Sequence, residues 1–447
     1  MAAASQRETD APRTPGTRGA RGARELLALA GAGALVGLAG GGVVVVFRLA
    51  LSAAEKLLRA LTQAAAGTPA LMAGWACALA VIGCALCALV AWEPHTSGSG
   101  IPQVAAELKG RLSASWRRVI PAKLVEGTLC ALAGLSLGRE GPSVQLGAMA
   151  GKAVGEVLGA DGDETGDLLG AGAGAGVAAA FNAPVAGAVF AVEEMRGRVT
   201  LPLVATALPA ALVANLVASL ALGWGPELAL GFEGKLPATL WPWALALGLA
   251  CGALGWAHNR LFFASQDASV RLGRRAGRMR AQARLAVPLA CAFVVAFVAP
   301  ELMCGGDAIL ELLEEPAALT LGLVAALLVG KLLYTALCFG SGAPGGTLLP
   351  LVVVGALAGA LWGLGLQEMG LADGSYLANF VALGIVGMLA SVVRAPVTGI
   401  VLVFELTGTP DGILVVALVA FVSYLASDAL GCEAFYEHLL EGLLEGL

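Results

Sequence analysis

The sequence predicts an all-α polytopic membrane protein made of two repeats of partly discontinuous helices. Three observations predict it: an apolar composition carried in long runs, a segment that occurs twice, and Gly-Pro breaks at corresponding places in the two halves. Hydrophobic residues make up 58% of the 447 and charged residues 13%, whereas ordinary soluble domains carry about 25% charged residues. Mean hydropathy is +0.82. A run of about 20 apolar residues crosses the hydrocarbon core, and such runs occur at 26–47, 70–92, 201–222, 241–257 and 319–339, among others. This many spans require a helical bundle, because only closed backbone hydrogen bonding survives in lipid.

The chain opens with a polar tail, residues 1–25, holding Arg7, Arg13, Arg18, Arg21 and Arg24 among Pro, Gly and Thr. It has too few apolar residues to build a core and is expected to be disordered, and its charge places the N-terminus in the cytoplasm. The run at 26–47 is too long for the h-region of a cleaved signal peptide. After two spans comes the first break, Gly98-Ser99-Gly100-Ile101-Pro102, and then a second, Gly138-Arg139-Glu140-Gly141-Pro142. The run Gly170–Gly176, "GAGAGAG", lacks the βαβ setting of a dinucleotide fingerprint and reads as small residues that let helices approach closely.

Residues 182–193, "NAPVAGAVFAVE", align with 394–405, "RAPVTGIVLVFE", pairing Pro184 with Pro396, Gly187 with Gly399 and Glu193 with Glu405. The chain is a duplication, with halves at about 26–225 and 238–440. Between them a basic cluster, Arg271, Arg274, Arg275, Arg278, Arg280 and Arg284, is expected in a short cytoplasmic loop; topology accounts for it without nucleic acid. The second half has its own break, 340–350, "GSGAPGGTLLP". Paired breaks in two halves point to a midplane site in a transporter, and such repeats are often inverted.

A helix that starts inside the membrane turns unpaired N–H groups and a positive dipole end toward its surroundings, which makes an anion site. Proline near each opening suits the first helical turn, and glycine lets backbone approach the ion. An ionised side chain at a helix centre costs about 2.5–3.5 kcal/mol, so Glu140 marks function. Its carboxylate is itself an anion and competes for the site until protonated. The nine cysteines lack disulfide or metal spacing and read as packers. The three histidines, His95, His258 and His438, lie outside the depths of the apolar runs, which leaves a zinc site or a Ser-His hydrolase without its base. Lys123 is read either as tuning the potential along the pathway or as a snorkelling lysine.

"GSGIP" at 98–102, "GREGP" at 138–142, "GSGAPGG" at 340–346, "GTLLP" at 346–350, "AAAFNAPVAGAVFAVEEM" at 178–195 and "VRAPVTGIVLVFELTG" at 393–408 resemble, in this order, the signature segments of the CLC chloride channel and transporter family. The resemblance implies a homodimer, each subunit with its own anion pathway between two inverted halves of tilted helices. It implies that Ser99 and Tyr436 hydroxyls and the backbone N–H groups of Thr347 and Leu348 bind the central anion. It also implies an outer site at the backbone of Gly138, Arg139 and Gly141, a gating and proton-carrying role for Glu140, and an inner proton role for Glu194. Both acids together favour chloride/proton antiport. A passive chloride channel, or an antiporter of nitrate or fluoride, is the alternative. The family's aromatic in its G-x-F-x-P motif is Leu348 here, which keeps the backbone donor and loses the ring. Ser99 is the residue associated with chloride. An intramembrane enzyme is disfavoured, and no cofactor or metal is implied. With few residues after Tyr436, CBS domains are not expected, and a prokaryotic plasma membrane is the expected location.

Overall fold

A computed structural model describes residues 15–225, 235–408 and 412–445. Its first half comprises α1 (Pro15–Ala65), α2 (Pro69–Trp92), α3 (Ile101–Leu108), α4 (Trp116–Leu132), α5 (Glu140–Leu158), α6 (Gly162–Phe181), α7 (Pro184–Phe190) and α8 (Leu201–Leu222). The second comprises α9 (Trp241–Ala276), α10 (Arg280–Val298), α11 (Asp307–Leu313), α12 (Leu321–Gly340), α13 (Leu348–Glu368), α14 (Leu377–Val392), α15 (Pro396–Thr407) and α16 (Ile413–Ala429), and α17 (Phe435–Glu445) closes the chain. Seven helical stretches among the described residues are long and apolar enough to cross a bilayer. No strand is formed among the described residues beyond one isolated bridge between Gly138 and Gly346.

Two expectations shift. Helix α1 already begins at Pro15, so the tail's boundary at residue 25 moves toward the N-terminus; proline suits a first helical turn, while Gly16, Gly19 and Gly22 are weak helix formers. Residues 1–14 lie outside the described residues. The basic cluster is helical, not a loop: α9 carries Arg271, Arg274 and Arg275, and only the turn Gly277–Met279 separates it from α10 at Arg280.

Small residues set the packing. A Cβ on Gly33 or Gly37 would come 2.2 or 2.3 Å from the Thr206 or Ala210 carbonyl, and one on Gly41 2.7 Å from Ala214 Cα. This four-residue stripe therefore seats α1 directly on the backbone of α8. The "GAGAGAG" run does the same for α5 and α6, since a Cβ on Gly172 would lie 2.2 Å from the Gly147 carbonyl and one on Gly176 2.1 Å from that of Ser143. In the other half, a Cβ on Gly359 would lie 2.1 Å from the Phe380 carbonyl, so this glycine lets α13 pack on α14.

The two halves are an inverted pair, and their starts are capped across the axis between them. Glu193 accepts the Val397 and Thr398 N–H groups at 3.2 and 2.7 Å, together with the Thr398 hydroxyl at 2.7 Å. Glu405 accepts those of Val185 and Ala186 at 2.9 and 2.7 Å. Each repeat's glutamate thus satisfies the orphan donors at the start of the other repeat's short helix, α15 or α7. The aligned glutamates of the duplicated segment are structural and reciprocal.

Candidate anion site at the meeting of broken helices

Three interrupted segments converge where the halves meet. Gly138 and Gly346 exchange both backbone hydrogen bonds, at 2.7 and 2.8 Å, which ties the start of α5 to the start of α13. Gly98 donates to the Gly342 carbonyl at 3.2 Å and accepts from Gly345 at 3.0 Å, bringing in the start of α3. The approach is close: a Cβ on Gly141 would lie 2.8 Å from the Ser99 carbonyl and 3.0 Å from Gly346 Cα. Gly100 has φ +94° and its ideal Cβ would fall 2.5 Å from the Gln145 side chain, so glycine is required there on two grounds.

Glu140 is the first residue of α5 and is wholly buried. Its Oε2 accepts the Leu349 N–H at 3.1 Å, in the first turn of α13. A Cβ on Gly138 would sit 2.4 Å from that oxygen, so the side chain folds back over the glycine. The carboxylate therefore occupies one of the donors that a helix start offers an anion. Arg139 is 18% exposed, with Nε 3.7 Å from Glu140 Oε1 and Nη1 3.4 Å from Asp307 Oδ1. It stands between two carboxylates.

Ser99, Thr347, Leu348 and Tyr436 are all buried around this junction. Ser99 Oγ accepts the Ile101 N–H at 3.3 Å, so it also caps α3. Tyr436, in the first turn of α17, hydrogen-bonds the Thr347 side chain and lies within electrostatic reach of both Glu140 and Glu194. Its helix packs on α3, which is how a residue near the chain end reaches a site built by segments far upstream. Glu194 stands apart from the junction, on a π-helical turn, Ala191–Arg196, that continues α7; such turns recur at functional sites. It faces Glu437 and Tyr436 on α17. The neighbouring arginines are engaged elsewhere, Arg196 with Asp167 at 2.8 Å and Arg198 with Asp163 at 3.5 Å.

Lys123 does not snorkel. It is fully buried, and its ammonium donates to the carbonyls of Thr96 at 2.7 Å and Gly98 at 2.8 Å, clamping the loop that carries Ser99. Thr96 in turn donates to Glu126 at 2.9 Å. His258 corrects the reading of the histidines: it is 2% exposed and stacks on Phe262 at 3.9 Å, because α9 buries this face against an aromatic cluster that includes Phe435. Glu126, Lys331 and Asp307 escaped the sequence reading. The one available signal was that the second half places Lys331 near the middle of α12 as the first places Lys123 in α4.

Residues 78–428 match the family model described as voltage gated chloride channel. The chain belongs to this CLC family. Among CLC relatives it is 32% identical over 362 residues to the H(+)/Cl(-) exchange transporter ClcA of Vibrio cholerae, covering 79% of this chain and 76% of the relative. Over 357 residues it is 32% identical to ClcA of Yersinia pestis, covering 78% and 73%. The fold superposes on a slow cyanobacterial Cl-/H+ antiporter with TM-score 0.86 and 29% identity, over 93% of this chain and 98% of the other. A CLC-type fluoride/proton antiporter, at TM-score 0.75 and 22% identity over 92% and 97%, shares the fold. Membership places the chain among transport proteins and removes the enzyme reading.

Proposed function

We propose that this CLC protein exchanges chloride for protons across a prokaryotic plasma membrane, with its N-terminus in the cytoplasm and two copies per assembly. The observation that carries the reading is the Glu140 carboxylate, fully buried and accepting the Leu349 N–H at the start of α13. The carboxylate, held on the Leu349 N–H, lies at the same helix start as the Thr347 and Leu348 N–H groups, so two negative charges there compete for one positive dipole end. Protonation neutralises the side chain and removes its claim on the helix start; chloride then enters. Ionisation reverses the step.

In this mechanism the Ser99 and Tyr436 hydroxyls and the N–H groups of Thr347 and Leu348 bind the central chloride. The backbone N–H groups of Arg139 and Gly141 form the outer position, and Gly138, whose own N–H bonds the Gly346 carbonyl, holds the turn that presents them. Leu348 supplies its N–H as an aromatic would, without a ring face along the pathway. Glu194 is the inner proton station. Tyr436, within electrostatic reach of both carboxyls, marks where the proton and chloride routes meet. The transported ions are the only ligands the cycle requires.

Reconstituted in liposomes, the native protein is expected to drive protons uphill when a chloride gradient is imposed. Glu140→Ala and Glu194→Ala should both abolish proton movement while retaining chloride movement, and Glu140→Ala should also lose its dependence on pH. Normal proton pumping by Glu194→Ala would remove the inner station; a native chloride flux without any proton movement would make the protein a channel.

A further inference from the structure

The two buried lysines reveal a correspondence that the duplicated segment does not. Lys123 holds the carbonyls of Thr96 and Gly98; Lys331, on α12, holds those of Leu302 at 3.2 Å and Cys304 at 2.8 Å. Gly98 and Cys304 both have positive φ, 69° and 57°, and so do Gly100 and Gly306, 94° and 110°. Each second glycine is followed at once by a short helix, α3 or α11. The loop 302–307 is thus the counterpart, in the inverted half, of the loop that carries Ser99. Where the first loop has Ile101, this one has Asp307.

Asp307 lines a cavity of about 300 Å³ with Gly138, Arg139, Leu349, Glu55 and Arg59. Its carboxylate is 31% exposed and lies 3.4 Å from Arg139 Nη1, while Arg139 Nε lies 3.7 Å from Glu140. The charged and titratable groups facing Asp307 are Arg139 and Glu140 at the start of α5, Glu55 and Arg59 on α1, Lys331 on α12 and Cys304 in its own loop. Glu311, one turn along α11, and Arg48 and Lys56 on α1 border the same cavity.

We propose that Asp307 is a positioning residue for Glu140: by sharing Arg139 with it, Asp307 sets the proton concentration at which the Glu140 carboxyl leaves the anion site. The proposal rests on the gating role assigned to Glu140 above. An ionised Asp307 draws the guanidinium from Glu140 and adds its own negative potential, and both effects favour proton uptake by Glu140. Without that charge the Arg139 guanidinium acts more strongly on Glu140, the Glu140 carboxylate is stabilised, and more acid is needed to vacate the site.

The test is chloride efflux from liposomes as a function of pH, with equal pH on both sides. Asp307→Asn is expected to move the midpoint of activation to lower pH by about half a unit to one unit, the scale of one charge removed from a partly desolvated cluster. Asp307→Ser should shift it in the same direction, and Asp307→Glu should restore the native midpoint; a merely structural role for the side chain would leave all midpoints in place. Native midpoints in both neutral variants, beside a pH-independent Glu140→Ala, would overturn the role of Asp307 and leave the gate intact. Retained pH dependence in Glu140→Ala would overturn the gate itself, and this inference with it.

Discussion

Lys123 and Lys331 each trade the hydration of an ammonium group for two backbone carbonyls, so their worth lies in what they hold. Met in place of Lys123 keeps a similar length and leaves the Thr96 and Gly98 carbonyls without this donor, and each buried orphan costs about 1–3 kcal/mol. Because the loop so loosened carries Ser99, Lys123→Met is expected to weaken chloride binding by about tenfold or more, a change of about 1.4 kcal/mol per decade. Lys331→Met frees the Leu302 and Cys304 carbonyls in the loop that carries Asp307 rather than Ser99, and should weaken chloride binding less. Calorimetric titration with chloride separates the two; equal affinities in native protein and Lys123→Met would show that the clamp does not set the site.

Among elements, the crossed caps on α7 and α15 are the clearest product of the duplication. Glu193→Ala leaves the Val397 and Thr398 donors uncapped, and Glu405→Ala does the same to Val185 and Ala186. Losing a cap typically costs about 1 kcal/mol, and the two variants should lower the temperature of thermal inactivation by comparable amounts. A loss confined to one of them would mean that the caps are not equivalent. The pairing of Glu193 with Glu405 was legible because it lies within one aligned segment, and the openings of α3, α5 and α13 were legible because glycine and proline interrupt apolar runs. The partners were not. Lys123 reads as a snorkelling residue until α4 is packed against the Ser99 loop, and Asp307 reads as a surface acid until α11 is set beside Arg139. Hydrogen bonds between segments far apart in the chain belong to topology, which local pattern does not encode.

At the scale of the whole molecule, the same caps bear on assembly. Glu193 and Glu405 are only half-buried, on a surface that includes Val185, Val397, Leu208 and Val204, each more than one-third exposed. An apolar groove of about 590 Å³ runs between these side chains. A surface of valine and leucine suits lipid equally well; two carboxylates within it do not, because an intramembrane charge left against hydrocarbon is costly. A second copy presenting the same face would shield both caps through an isologous contact, the usual arrangement of a twofold dimer. The dimer proposed for this chain is therefore expected to form through α7, α8 and α15. Fluorophore-labelled protein diluted to at most one assembly per liposome should bleach predominantly in two steps, and charged substitutions at Val204 and Leu208 should convert the pattern to single steps. Single-step bleaching of the native protein at that dilution would leave the caps facing lipid and contradict the assignment.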